Sequence, residues 1–192
     1  MRKVGLAVLG VALLLVSTLS QAALIRYQAA LVPEVSGATG AGFVTADYDS
    51  TAHTLLISAN WSGLSGITTV AHIHCCTAAP KTGTVAVAVT PGTLPGFPAG
   101  VSAGSYLSPV LDLTDAATYT AGFVTNFAGG LLANAEGALI AGFDSGRAYF
   151  NIHSNLFPGG EIRGFLAVPE PGTLALLGLA LGALALRRRT IR

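Results

Sequence analysis

Charge is what this chain lacks. Asp, Glu, Lys and Arg make up 10 % of its 192 residues, against roughly 25 % in an average soluble protein. The formal net charge is +1. Without a basic surplus there is no electrostatic footprint for a polyanion, and nucleic acid is excluded as a partner. Cysteine is nearly absent: Cys75 and Cys76 are the only two. No Gly-x-Ser-x-Gly nucleophile elbow occurs, since Ser65 sits in Gly63-Leu64-Ser65-Gly66. No glycine-rich loop with a lysine stands ready to cradle a phosphate. Hydrophobic residues reach 52 %, so disorder is excluded as the overall state. The 24 glycines and 9 prolines, about one residue in six, make the chain turn-rich without a collagen period. The length gives room for one domain.

The few charges are unevenly placed. Arg2 and Lys3 open the chain, and Arg187, Arg188, Arg189 and Arg192 close it. Between Ala23 and Val168 stand four basic and eight acidic residues, so the body is mildly acidic at −4. Arg2-Lys3 followed by the apolar run Val4 to Leu19 has the layout of a secretory signal peptide. Ser20-Gln21-Ala22 supplies the small residues for cleavage by signal peptidase after Ala22. The alternative is an uncleaved anchor, for which 16 residues are short of the roughly 20 a span needs. At the other end, Val168-Pro169-Glu170-Pro171-Gly172 precedes an apolar run from Thr173 to Leu186 and then Arg187-Arg188-Arg189. Fourteen helical residues rise about 21 Å, against a hydrocarbon core of about 30 Å. The arginines stay on the cytoplasmic side by the positive-inside rule.

This motif, helix and basic cluster closely resemble the PEP-CTERM sorting signal of Gram-negative bacteria. The resemblance implies that a membrane protease, exosortase, recognises Pro169, Glu170 and Pro171 and removes the helix. The protein is then expected to leave a transient inner-membrane anchorage for the cell surface, outer membrane or extracellular matrix. A plain tail anchor is the alternative. Residues 1–22 are thus read as signal peptide, 23–168 as the body and 169–192 as the sorting segment.

Within the body, short β-type runs alternate with turn clusters. They are Leu24–Leu31, Gly42–Tyr48, His53–Asn60, Thr68–His74, Thr84–Val89, Tyr119–Asn126, Arg147–His153 and Glu161–Val168. Strands at such spacing predict an all-β, antiparallel sandwich or barrel. Pro91 to Gly104, with three prolines and four glycines, reads as a long irregular loop. Asn134 to Phe143 reads as the one short helix. Asn134 would be its N-cap, Glu136 would suit its positive end, and Leu139 and Phe143 would share its buried face. Gly146 would terminate it.

Five blocks carry a second resemblance: Leu31-Val32-Pro33-Glu34-Val35, Trp61-Ser62-Gly63-Leu64-Ser65-Gly66, Ala71-His72-Ile73-His74, Ala148 to Ser154, and Phe157 to Gly164. In that order they resemble a CHRD domain, the module named after chordin. The resemblance spans Leu24 to Val168 and implies an immunoglobulin-like β-sandwich. The family's molecular activity is poorly defined, so it implies fold more than function.

Residues i and i+2 of a strand point the same way, so His72 and His74 project side by side. Two imidazoles at that spacing can chelate a transition metal, and His153, ending another strand, would supply a third nitrogen. Copper or zinc suits such ligands. The same histidines have a structural reading, as hydrogen-bond donors to loop carbonyls with Asn151 and Glu161 as partners. A His-x-His strand, a later His and a Gly-rich loop leading to Arg163 are also loosely similar to Cu/Zn superoxide dismutases. That family uses a fourth, bridging histidine and further zinc ligands, and only His53 is left here. At most a copper-only, three-histidine site carries over.

Neighbouring Cα atoms lie about 3.8 Å apart across a trans peptide, below the usual disulfide range. In an exported, oxidising setting Cys75 and Cys76 are read as a vicinal disulfide, an intermolecular bridge, or soft metal ligands beside the histidines. Asp47 and Asp49 read as Asx-turn residues ending a strand, or as a paired acidic face. Glu34 reads as a partly buried carboxylate accepting backbone hydrogen bonds, or as a calcium ligand. Glu161 and Arg163 are expected to share a strand face and to pair with each other or with the His153 loop. Trp61 and Phe43 are expected in the core. Two functions follow: a non-enzymatic surface or matrix module for adhesion, matrix structure or protein binding, and a copper- or zinc-binding metalloprotein.

Overall fold

The computed structural model describes residues 24–169. The expected signal helix, the cleavage point after Ala22, Glu170, Pro171 and the C-terminal hydrophobic helix all lie outside them. Among the described residues no helix is long and apolar enough to cross a membrane.

The body is mostly antiparallel β, as expected. Its strands are β1 (Leu24–Pro33), β2 (Ala41–Asp49), β3 (Thr54–Ser62), β4 (Thr68–His74), β5 (Val87–Val89), β6 (Gly104–Leu107), β7 (Leu111–Asp112), β8 (Tyr149–Ser154) and β9 (Ile162–Phe165). They form one path, β5-β4-β8-β9-β1-β2-β3-β6, with β7 also on β3. The sheet curls at β1: Leu24 to Leu31 pair with β2, and Val32 and Pro33 pair with β9.

Alternation decides which face is inside. Across β1, β2 and β3 the register aligns Tyr27, Ala46 and Ile57, then Ala29, Val44 and Ala59, all buried. Across β4, β8 and β9 it aligns Ala71, Ile152 and Ile162. Both sets belong to one core. The opposite face of β4, β8 and β9 carries a different row: His72, Asn151 and Arg163, then His74, Tyr149 and Phe165.

Two α-helices are present where one was expected. Helix α2 (Ala135–Asp144) lies close to its expected place, with Leu139 and Phe143 fully buried. It packs on β1, Phe143 lying 4.8 Å from the Tyr27 ring, and Gly146 ends it at φ +64°. Asn134 does not cap it through its side chain; its Nδ2 donates to the Ala128 carbonyl instead. Helix α1 (Ala121–Phe127) replaces the strand expected over Tyr119–Asn126. Thr120 caps it by accepting from the Phe123 N–H, and Tyr119, Phe123 and Phe127 stack along one side. Strand β5 is shorter than the expected Thr84–Val89. Phe43 faces outward, 38 % exposed, because its neighbour Val44 takes the inward position; Trp61 is buried as expected.

The loop from Pro91 is irregular, but it is packed rather than loose. Its Leu94 and Phe97 are buried, Phe97 stacking on Trp61 at 5.1 Å, and the Leu94 N–H donates to the Ala71 carbonyl of β4. That anchorage holds the loop over one end of the histidine row.

Candidate metal centre

His72 and His74 sit two residues apart on β4, and His153 sits on the adjacent β8. Pairing of β4 with β8 sets His72 opposite Asn151, which brings His153 beside it. Ring centroids lie 5.0 Å apart for His72 and His153, and 5.6 Å for His72 and His74. All three are buried, at 7, 7 and 8 % exposure. One ring nitrogen from each lies within 4.8 Å of one from each of the others. A metal–imidazole bond is about 2.0–2.1 Å, so closure by less than about 1 Å per ring brings all three onto one ion.

Each ring is turned by a loop carbonyl. His72 Nε2 donates to Gly92 O at 2.8 Å, His74 Nδ1 to Val85 O at 2.7 Å, and His153 Nδ1 to Pro158 O at 2.8 Å. A carbonyl oxygen only accepts, so these nitrogens carry the protons. Burial pushes His72 down to about 4, with the nearby His153 and His74 lowering it further against the Gly92 hydrogen bond. Burial also lowers His74. Both rings are neutral near pH 7, so the lone pairs stand on His72 Nδ1 and His74 Nε2.

Those lone pairs meet acceptors. His72 Nδ1 faces His153 Nε2 at 3.2 Å, and His74 Nε2 faces Asn151 Oδ1 at 3.1 Å. The Asn151 amide is oriented by Glu34, whose Oε2 accepts from Asn151 Nδ2 at 3.2 Å. A buried contact between two acceptors is costly unless a cation lies between them, whether a proton or a metal ion. The arrangement of outer N–H on a carbonyl and inner lone pair toward a shared space is the one metal-bound histidines adopt.

A second layer holds these groups. Tyr149 stacks flat on His74, with centroids 4.7 Å apart and planes within 2°. Arg163 lies over Tyr149 and Phe165, and its Nη1 donates to Glu34 Oε1 at 3.1 Å and Gly83 O at 2.8 Å. Gly160, at φ +129°, is needed here: a Cβ would overlap Glu34 Oε2 and approach Asn151 Nδ2 to 2.7 Å.

Several expectations need correction. Glu34 takes side-chain donors, Asn151 and Arg163, rather than backbone N–H groups, and Arg163 neutralises it. Glu161 does not pair with Arg163 or join the histidines; it accepts from the Ser65 and Gly66 N–H groups. Asp47 pairs with Arg26, and only Asp49 forms an Asx turn, accepting from Thr51 and Ala52. His53 binds Glu136, away from this cluster. The Sγ atoms of Cys75 and Cys76 are in bonding contact. Cys76 Sγ turns to Ala138 O of α2, at 3.9 Å, rather than toward the histidines. Tyr149 and the three loop carbonyls were missed by the sequence reading. Tyr149 is legible afterwards as an i+2 neighbour of Asn151, whereas the carbonyls carry no residue signal. Among the described residues, His72, His74 and His153 are the one grouping of three or more metal-ligating side chains.

The CHRD domain model matches residues 20–166. The chain belongs to the CHRD family. A PEP-CTERM protein-sorting motif matches residues 167–189 of this CHRD protein. It marks the protein for export and exosortase processing, with a destination at or beyond the cell surface of a Gram-negative bacterium. No curated protein and no solved structure matches the chain.

Proposed function

We propose that this CHRD protein is an exported, surface- or matrix-associated module that holds one transition metal ion at His72, His74 and His153 and catalyses no reaction. Copper and zinc are the metals in view. The reading rests on one observation: three buried imidazoles each commit the outer nitrogen to a loop carbonyl and turn the other inward. The surface or matrix role rests on the sorting motif and the low charge of the body. We read residues 1–22 as signal peptide, cut after Ala22, residues 23–168 as the body, and residues 169–192 as the segment exosortase removes at Pro169, Glu170 and Pro171. For the body we keep the immunoglobulin-like reading, supported by two sheet halves that share one core.

Isothermal calorimetry of the purified protein with copper or zinc tests the metal. One equivalent is expected to bind tightly, and His72→Ala/His74→Ala is expected to bind none. Absence of a tight site, or a site unaltered in the double variant, leaves the histidines as structural donors.

A further inference from the structure

We propose that the three-histidine site selects monovalent copper over copper(II) and zinc(II), an inference that rests on the metal reading above. The donor set is three neutral nitrogens. Among the described residues no carboxylate or thiolate joins them in the cluster. Glu34, which accepts from Asn151 Nδ2 behind the histidines, is already matched by Arg163 at 3.1 Å. Among the described residues the cluster itself holds no negative side chain to offset the charge of a bound ion.

Charge then decides which ion is favoured. The cost of moving an ion from water to a low-dielectric site scales with the square of its charge, so a dication costs about four times as much as a monocation. The histidines are more than nine-tenths buried, so that cost is only slightly relieved by solvent. Coordination number points the same way. Zinc(II) takes four ligands, and copper(II) a tetragonal set, usually with an anion or water among them. The flat face of Tyr149 covers His74 on one side, and Asn151, whose Oδ1 faces His74 Nε2 at 3.1 Å, adds only a neutral oxygen on another. Copper(I), a closed-shell ion, is satisfied by two or three nitrogens.

The test compares affinities in the purified protein. Copper(I) is titrated without oxygen against a copper(I)-specific chromophoric chelator, and copper(II) and zinc(II) against chelators of their own. Copper(I) is expected to bind more tightly than either divalent ion, by at least about 100-fold, because burial costs the dications more. Arg163→Gln uncovers the Glu34 carboxylate and is expected to shift the ratio at least about tenfold toward zinc(II). Equal or tighter binding of a divalent ion by the unaltered protein overturns the selectivity while leaving the metal site standing. An unmoved ratio in a folded Arg163→Gln overturns the charge argument. Failure of all three ions to bind overturns the metal reading itself. The ratio in the unaltered protein needs no variant, so the proposal stays testable if Arg163→Gln does not fold.

Discussion

Nδ1 of His72 and Nε2 of His153 meet at 3.2 Å although 81 residues separate them in the chain. With both outer nitrogens bonded to carbonyls, the contact joins two acceptors until a cation enters. Metal binding should therefore stabilise the fold by mass action. An ion at 100 to 1,000 times its dissociation constant contributes about 2.7–4.1 kcal/mol. For a body of this size that raises Tm by roughly 5–16 °C. Differential scanning calorimetry is expected to show the rise with metal, its reversal by chelator, and its absence in His72→Ala. A Tm indifferent to every metal contradicts the prediction.

The strands were legible because alternation survives wherever one face is buried, as in Val44, Ala46 and Tyr48 of β2. Helix α1 was misread because Tyr119, Thr120, Phe123, Val124 and Thr125 are aromatic or β-branched, residue types that favour strands. The helical signal was there in the spacing of Tyr119, Phe123 and Phe127 at i, i+4 and i+8, which puts their rings in a stack. The His72–His74 pair followed from the period of a strand. The approach of His153 depended on the β4–β8 register, which no local pattern encodes. The carbonyls of Val85, Gly92 and Pro158 were invisible for a different reason: backbone atoms in loops have no residue identity to read.

The contact between α2 and the cysteines gives a prediction with a change of sign. A Cβ on Gly142 would overlap Cys75 Sγ and lie 2.8 Å from Cys76 Sγ. Gly142→Ala is expected to cost about 1–3 kcal/mol through overpacking. In a Cys75→Ala/Cys76→Ala background both sulfurs are gone, and the same change should gain up to about 1 kcal/mol of helix propensity. Urea unfolding of the four proteins measures this coupling. Intact mass after alkylation, with and without reductant, tests the pairing itself: two thiols alkylated in the native, unreduced protein would contradict it.

Glu161 is fully buried, and its carboxylate accepts from the N–H groups of Ser65 and Gly66 in the β3–β4 connection. Glu161→Ala strands both donors. Each unmet group costs about 1–3 kcal/mol, so a loss of about 2–6 kcal/mol is expected in denaturant unfolding. Metal stoichiometry should stay the same, because Glu161 touches none of the three histidines. A variant that unfolds like the parent protein would show those N–H groups satisfied by another partner.

Alkali should weaken the fold through buried phenols. Tyr48 donates to Glu136 Oε1 at 2.6 Å, and His53 holds Glu136 Oε2 at 2.8 Å, tying the β2–β3 turn to α2. Burial, then the bond to Glu136 and the nearby negative charge, push Tyr48 up to about 12; burial does the same to Tyr106. Tyr27 and Tyr119 are raised as well, chiefly by burial. In the unfolded chain a tyrosine ionises near 10. The folded state therefore favours the neutral phenols, and their contribution is whole below pH 10 and is lost as the pH climbs toward 12. Denaturant midpoints are expected to hold up to about pH 10 and to fall above it. Tyr48→Phe should flatten part of that fall while lowering the midpoint near neutrality, because Glu136 loses a donor. Ultraviolet titration supplies the check: tyrosinate absorbance that is complete near pH 10 in the folded protein would contradict the burial of these rings.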